Sequence, residues 1–290
     1  MTRQPAAAEF YAGDCAGAAE RFLRDFIPPV EPAHIVAGVV PHAGWEYSGA
    51  VAAQVFGAIQ RGAIQRKQPV ETFVIFGAIH RRAGRNAVYA RGEWATPLGP
   101  VPVDEDLAAR ILEATTLDAA SRLLADDPQA HAGEHAIEVQ LPFIRHWFPR
   151  ASVVPISVSP DMQAVEIGQR VGDVLKKLGR ETVVIGSTDL THYGEPYQFS
   201  PKGEGERARQ WMRGNDERII DLAVDMKAEQ IVNEARQHQN ACGAGALAAT
   251  VAAAARLGSQ HGVMLDYRTS FDVAPEPVFR MAVGYSAIVF

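Results

Sequence analysis

Four histidines and a cysteine stand at positions where an α/β protein does chemistry. The run HIVAGVVPHAG places His42 just after an apolar stretch. TFVIFGAIH does the same for His80, and TVVIGSTDLTH sets Asp189 and His192 just beyond a third. Short apolar runs bounded by turn residues predict buried strands. Ligands of open α/β sheets bind beyond the carboxyl ends of such strands. A lone histidine there reads as a loop residue bonded to backbone. Three at equivalent strand ends read as a cluster built on converging loops. Neutral imidazole suits zinc, copper, nickel and ferrous iron. The anionic ligand that completes such a set is Asp189 or the thiolate of Cys242.

Cys242 lies in NACGAGALAATVAAAARLG, at the start of an alanine-rich helix. Unpaired N–H groups and the helix dipole there lower a thiol pKa. That opens a metal-free route, with Cys242 as nucleophile and His192 or His135 as base. A small core cysteine is the bland alternative. The segment HAGEHAIEVQLPF spells an H-x-x-E-H zinc-protease pattern across His131 and His135. Asp127–Pro128 and Gly133 point instead to a loop leading into a helix near Glu134, with Glu134 and His135 facing the site. His34, His146, His238 and His261 read as surface or capping residues. Trp45 and Tyr47 read as pocket wall or as core packing.

The elements that must hold these groups follow from periodicity. Strands are expected over Ile35–Val40, Thr72–Phe76, Ala87–Ala90, Ser152–Val158, Thr182–Ile185, Val263–Arg268 and Ala282–Phe290. Helices are expected over Ala50–Ile59, Glu105–Ala114, Ala136–Trp147, Met162–Leu178, Glu206–Val224, Lys227–Arg236 and Gly245–Leu257. Arg61–Gln68 and Pro196–Gly205 read as loops. The alternation predicts one α/β domain over residues 1–290, with a mixed central sheet, helices on both faces and an antiparallel closing pair.

Composition narrows the function classes. The chain has 290 residues, of which 47% are hydrophobic and 21% charged, with a formal net charge of -6. That balance belongs to a globular protein and lacks the basic footprint of a nucleic-acid binder. Two cysteines, Cys15 and Cys242, imply no disulfide framework. The start has no apolar signal core, and Ala241–Ala255 is too rich in alanine and glycine for a membrane span. The expectation is a cytoplasmic protein that engages no membrane. There is no P-loop, dinucleotide fingerprint or nucleophile elbow.

Taken together, RQPAAAEFYAGD, VVPHAGWEYSGAVAA, the strand ending GAIH, GEHAIEVQLPF, GSTDLTHYG and the ACG helix start resemble the Memo family. In bacteria and archaea its members are called AmmeMemoRadiSam system protein B. The resemblance runs from about Arg3 to the C-terminus. It implies a fold similar to the catalytic subunit of the class III extradiol dioxygenases, which hold non-haem Fe(II) with two histidines and a glutamate. Carried over by motif, His42 and His80 match the metal histidines, and Cys242 falls where the Memo family has its cysteine ligand. His192 matches the acid/base histidine, His135 a second active-site histidine, and Asp189 accompanies His192. The resemblance implies Fe(II), with copper or zinc next, and redox or oxygen-dependent chemistry on a small substrate. As an alternative it allows a non-enzymatic module for a ligand or peptide, and it implies a functional link to radical-SAM and Ammecr-type proteins. One departure is the second histidine loop. Many relatives read G-P-S-H-H or G-P-N-H, against Gly77-Ala78-Ile79-His80-Arg81 here. The thiolate in place of a carboxylate also makes the donor set softer.

Overall fold

A computed structural model describes residues 1–24, 26–27, 34–80, 84–118 and 121–290. Arg81, part of the departing loop, lies outside the described residues. The strands are β1 Thr2–Arg3, β2 Ala37–Val40, β3 Thr72–Gly77, β4 Ala87–Val88, β5 Glu93–Trp94 and β6 Val101–Pro102. They continue with β7 Ala125–Asp126, β8 Ser152–Ser157, β9 Thr182–Ser187, β10 His192–Tyr193, β11 Val263–Thr269 and β12 Ala282–Val289. The helices are α1 Cys15–Leu23, α2 Trp45–Arg66, α3 Glu105–Ala114, α4 Leu141–Trp147 and α5 Gln163–Leu178. After them come α6 Glu206–Val224, α7 Ala228–His238, α8 Ala244–Leu257 and α9 Ser270–Val273.

The expected mixed α/β sheet is observed. Among the described residues, nine strands run in the order β10-β12-β2-β9-β3-β8-β4-β7, with β11 also on β12, and β1, β5 and β6 form a small separate sheet. At the centre β2, β9, β3 and β8 are mutually parallel. β12 caps them antiparallel to β2 and pairs antiparallel with β11, as the closing runs predict.

Alternation along the central strands explains the layers. Val74, Phe76, Val154, Ile156 and Val184 face one core with α3, α5, α7 and α8. Phe73, Ile75, Val153, Val183 and Ile185 face the other, with α1, α2 and α4. Buried on both faces, these strands read as continuous apolar runs. α8 owes its alanine content to close approach: a Cβ on Gly168 of α5 would lie 2.7 Å from Ala249 Cα.

Some expected boundaries move. Arg61–Gln68 is not a loop, because α2 runs to Arg66 and ends at Lys67 with φ 57°. Gln, Arg and Lys are good helix formers, and they carry the helix past Gly62 to the turn before Pro69. The expected Ala136 helix is a turn and a 3-10 segment, Glu138–Gln140, before α4. Pro142 lacks an N–H and is tolerated only in a helix's first turn. Asp104 caps α3 as expected, accepting from Leu107 N–H at 3.0 Å. Among the described residues no helix is long and apolar enough to cross a membrane.

Candidate metal centre

Because β2, β9 and β3 are parallel neighbours, their carboxyl ends share one edge. His42 follows β2, His80 follows β3, and Asp189 and His192 follow β9. The structure thus brings together the histidines that the strand ends predict. The imidazole rings of His42, His80 and His135 pack with centroids 5.1, 5.3 and 4.8 Å apart, His80 and His135 stacked at 14°. Cys242 Sγ lies 3.1 Å from His42 Nε2. Donor atoms of His42, His80 and Cys242 all fall within 4.8 Å of one another.

The tautomers of the two strand-end histidines follow from their neighbours. Ser187 Oγ donates to Ala136 O at 2.6 Å, which uses its single hydrogen. At 3.1 Å it therefore accepts from His42 Nδ1–H, leaving the lone pair on Nε2, beside the thiol. His80 Nδ1 lies 2.9 Å from Glu134 Oε1, a carboxylate that only accepts, so His80 Nε2 is likewise open. Ligating histidines are generally held in this way, through the nitrogen that does not touch the metal. Burial drives the His42 pKa well below its usual value, helped by His80 and His135, so the ring stays neutral. Burial also pulls on His80, but its bond and charge contact with Glu134 leave it raised.

Glu134 is almost fully buried and sits at about pKa 2, because His80 outweighs the burial that would raise it. It also accepts from the backbone N–H groups of His80, His135 and Ala136. Glu134, His80 and His135 form a second group with donor spacing. Every Glu134 oxygen is already engaged there, so its geometry is that of a carboxylate orienting a ligand.

The donor set fits a metal. Nitrogen and thiolate sharing one ion stand about 3.5 Å apart at ordinary bond lengths. The observed 3.1 Å requires only a slight opening. Cys242 departs from one expectation: its thiol pKa is pushed up, by burial and by Asp189, not down. α8 begins two residues later, at Ala244, so the helix terminus does not compensate. A thiol whose pKa is raised in this way needs a cation beside it to ionise.

On the open side Asp189 is buried, its carboxyl pushed up by burial against the pull of His192. It accepts from His42 N–H at 2.7 Å, tying two strand ends together. His192 Nδ1 donates to Leu190 O at 3.0 Å, which leaves Nε2 as an acceptor. His135, Asp189 and His192 line a cleft of about 410 Å³ with Tyr47, so Tyr47 is pocket wall. Trp45 is core, stacked on Phe143 at 3.9 Å. His131 is no partner in a protease motif: it is buried against Ser157, Tyr89 and Trp94, away from His135's cleft. His146 pairs with exposed Glu20 and His238 with the half-buried Glu234, and His34 lies 3.8 Å from Glu181.

Several contributors escaped the sequence reading. Ser187 sits inside the GSTDLTH run and carried a signal. Asp216 on α6 carried none: it accepts from Thr191 N–H at 2.9 Å and from Tyr267 O–H at 2.8 Å, fixing the residue before His192. Arg3 donates to His131 O, Glu134 O and the buried Glu138 carboxylate, and so holds the Glu134–His135 loop from behind.

Fold and site define a class: an α/β protein whose parallel strand ends gather histidines, a thiol and a carboxylate at one rim. The chain belongs to the Memo-like protein family, which it matches over residues 3–289. A MEMO1 family protein of Thermococcus onnurineus is 35% identical over 303 residues, covering 100% of this chain and 99% of its own. One of Methanopyrus kandleri is 37% identical over 265 residues, covering 89% and 84%. An uncharacterised Escherichia coli K12 protein of known structure superposes with a TM-score of 0.52 at 13% identity, covering 86% of this chain and 99% of its own. That last likeness concerns the fold alone.

Proposed function

We propose that the chain is a mononuclear metal-dependent enzyme with His42, His80 and Cys242 as ligands, acting on a small organic substrate in the adjoining cleft. The observation that carries this reading is the pair of open Nε2 atoms, each fixed through its Nδ1, converging with a half-buried thiol. Ferrous iron is the first expectation and copper or zinc the next; bound there, such an ion supplies Lewis acidity and, if redox-active, oxygen or electron chemistry. The chain's own groups do the rest. His192 Nε2 faces the cleft with its lone pair free and takes a proton from substrate, work that contributes about 10²–10⁴-fold. Asp189 stabilises the imidazolium so formed. His135 is held neutral by burial and by the charge of His80, and offers a hydrogen bond to a substrate oxygen.

A metal-free cysteine enzyme is less well supported, since the thiol is pushed away from its reactive form. The test is elemental analysis of protein purified without oxygen, counting iron, copper and zinc together. Near-stoichiometric metal, lost in a His42→Ala, His80→Ala double variant, supports the reading. Folded protein that takes up no metal overturns it. It would leave a binding module for a ligand or peptide as the use of the cleft.

A further inference from the structure

The cleft beside the cluster has a chemistry of its own. Its walls are aromatic: Phe10 stands 4.9 Å edge-on from His135, Tyr197 5.0 Å edge-on from His192, and Tyr47 and Phe271 complete the lining. Tyr47 and Tyr197 are 38% and 40% exposed, so each keeps part of its aromatic surface open. The charges that line it are carboxylates, Asp189 at the floor and Glu276 at the rim. Among the described residues neither a lysine nor an arginine lines it, and Glu276 forms no ion pair. The Arg209 guanidinium lies 5.3 Å over the Phe271 ring and is already paired with Asp272 at 2.7 Å.

We infer that the cleft selects a positively charged aromatic amine: its ring stacks among Phe10, Phe271, Tyr47 and Tyr197, and its ammonium faces Glu276. Aromatic faces attract cations, and stacked rings pack well against them. A carboxylate of the same size would approach two carboxylates and meet no lining cation among the described residues. The volume, about 410 Å³, admits a ring with a short side chain. This inference rests on reading the cleft as the substrate site proposed above.

The test uses three probes of one shape, 2-phenylethylammonium, 3-phenylpropionate and 3-phenylpropan-1-ol. Binding is titrated calorimetrically at pH 7 and fixed ionic strength. Full-length wild-type and Glu276→Gln proteins are compared, each with and without prior chelator treatment. Glu276 is exposed, so its amide variant should fold normally. The ammonium should bind at least about tenfold tighter than the carboxylate, and Glu276→Gln should weaken it about three- to tenfold while leaving the alcohol unchanged. A carboxylate that binds as tightly, an ammonium indifferent to Glu276→Gln, or no saturable ammonium binding would each overturn the inference. The preference is read in chelator-treated protein as well. Failure of the metal reading therefore shows as missing metal with the preference intact, and failure of this one as the reverse.

Discussion

Glu134 grips His80 at two atoms, the ring Nδ1 and the backbone N–H, both at 2.9 Å. The carboxylate comes from the loop before α4 and the histidine from the end of β3, so one contact sets ring rotation, tautomer and loop position together. Removing the charge while keeping the shape isolates its contribution. Glu134→Gln should weaken metal binding about 10–100-fold, the usual effect of losing the partner that orients a ligating histidine. Competition against a chelator of known affinity measures it, and unchanged affinity would show that Glu134 serves the fold only.

Gly243 should tolerate no side chain. A Cβ there would stand 2.6 Å from Ser187 O and 2.8 Å from Thr188 Cβ, both in the strand-end segment that carries Asp189. Gly243→Ala should cost about 1–3 kcal/mol as an overpacking change and displace Cys242. Urea unfolding reads the first effect. Loss of the thiolate-to-metal absorption in cobalt-loaded protein reads the second; an intact band would mean Cys242 is not positioned by this contact.

The buried Arg3–Glu138 pair, 2.7 Å apart with both side chains under a tenth exposed, joins the N-terminal segment to the site loop. Arg3→Ala leaves Glu138 without its counter-ion, and breaking a buried pair costs about 3–5 kcal/mol. It also frees the carbonyls of His131 and Glu134. Denaturant midpoint and metal affinity should fall together. A fall in the midpoint alone would uncouple this anchor from the site.

Two buried groups should tilt stability with pH in opposite directions. Burial raises the Asp216 carboxyl to about 7, from an ordinary 3.8. Between about pH 4 and 7 the unfolded chain therefore binds fewer protons than the folded one, and this residue's contribution to stability falls as pH rises. Asp216→Asn keeps the Thr191 bond and can donate to Tyr267. Its stability relative to wild type should climb through that window and then level off. His131 is the converse: burial, then Arg3, lowers it to about 4 from 6.5. The unfolded chain takes up the proton first, so its contribution is lost as pH falls from about 6.5 to 4. In His131→Gln the loss of stability against wild type should shrink over the same fall. Urea titrations at each pH measure both. Differences that stay flat with pH would refute the two assignments.

Much of this protein was legible in its sequence. The apolar runs ending at Val40, Phe76 and Ile185 showed which strands would be buried, and each is followed within a few residues by His42, His80 or the Asp189–His192 pair. Period and turn chemistry are local properties, and local properties can be read from a string. Two errors were local in origin, a helix that ran past Arg61 and one that began at Leu141 rather than Ala136; a third, the thiol expected to ionise, came from its surroundings beside Asp189. Burial decides the last of these, and burial depends on neighbours far away in the chain.

Only the tertiary structure decided who stands behind the site. Strand order puts β2, β9 and β3 side by side, and no periodicity reveals that order. Ser187 and Glu134 set the two imidazole tautomers across separations of 145 and 54 residues. Arg3 and Asp216 reach the site loops across 131 and 25 residues. The sequence determined which atoms can bind a metal. Folding decided which nitrogen of each ring is left free to do so, because a hydrogen bond from a distant residue holds the other one.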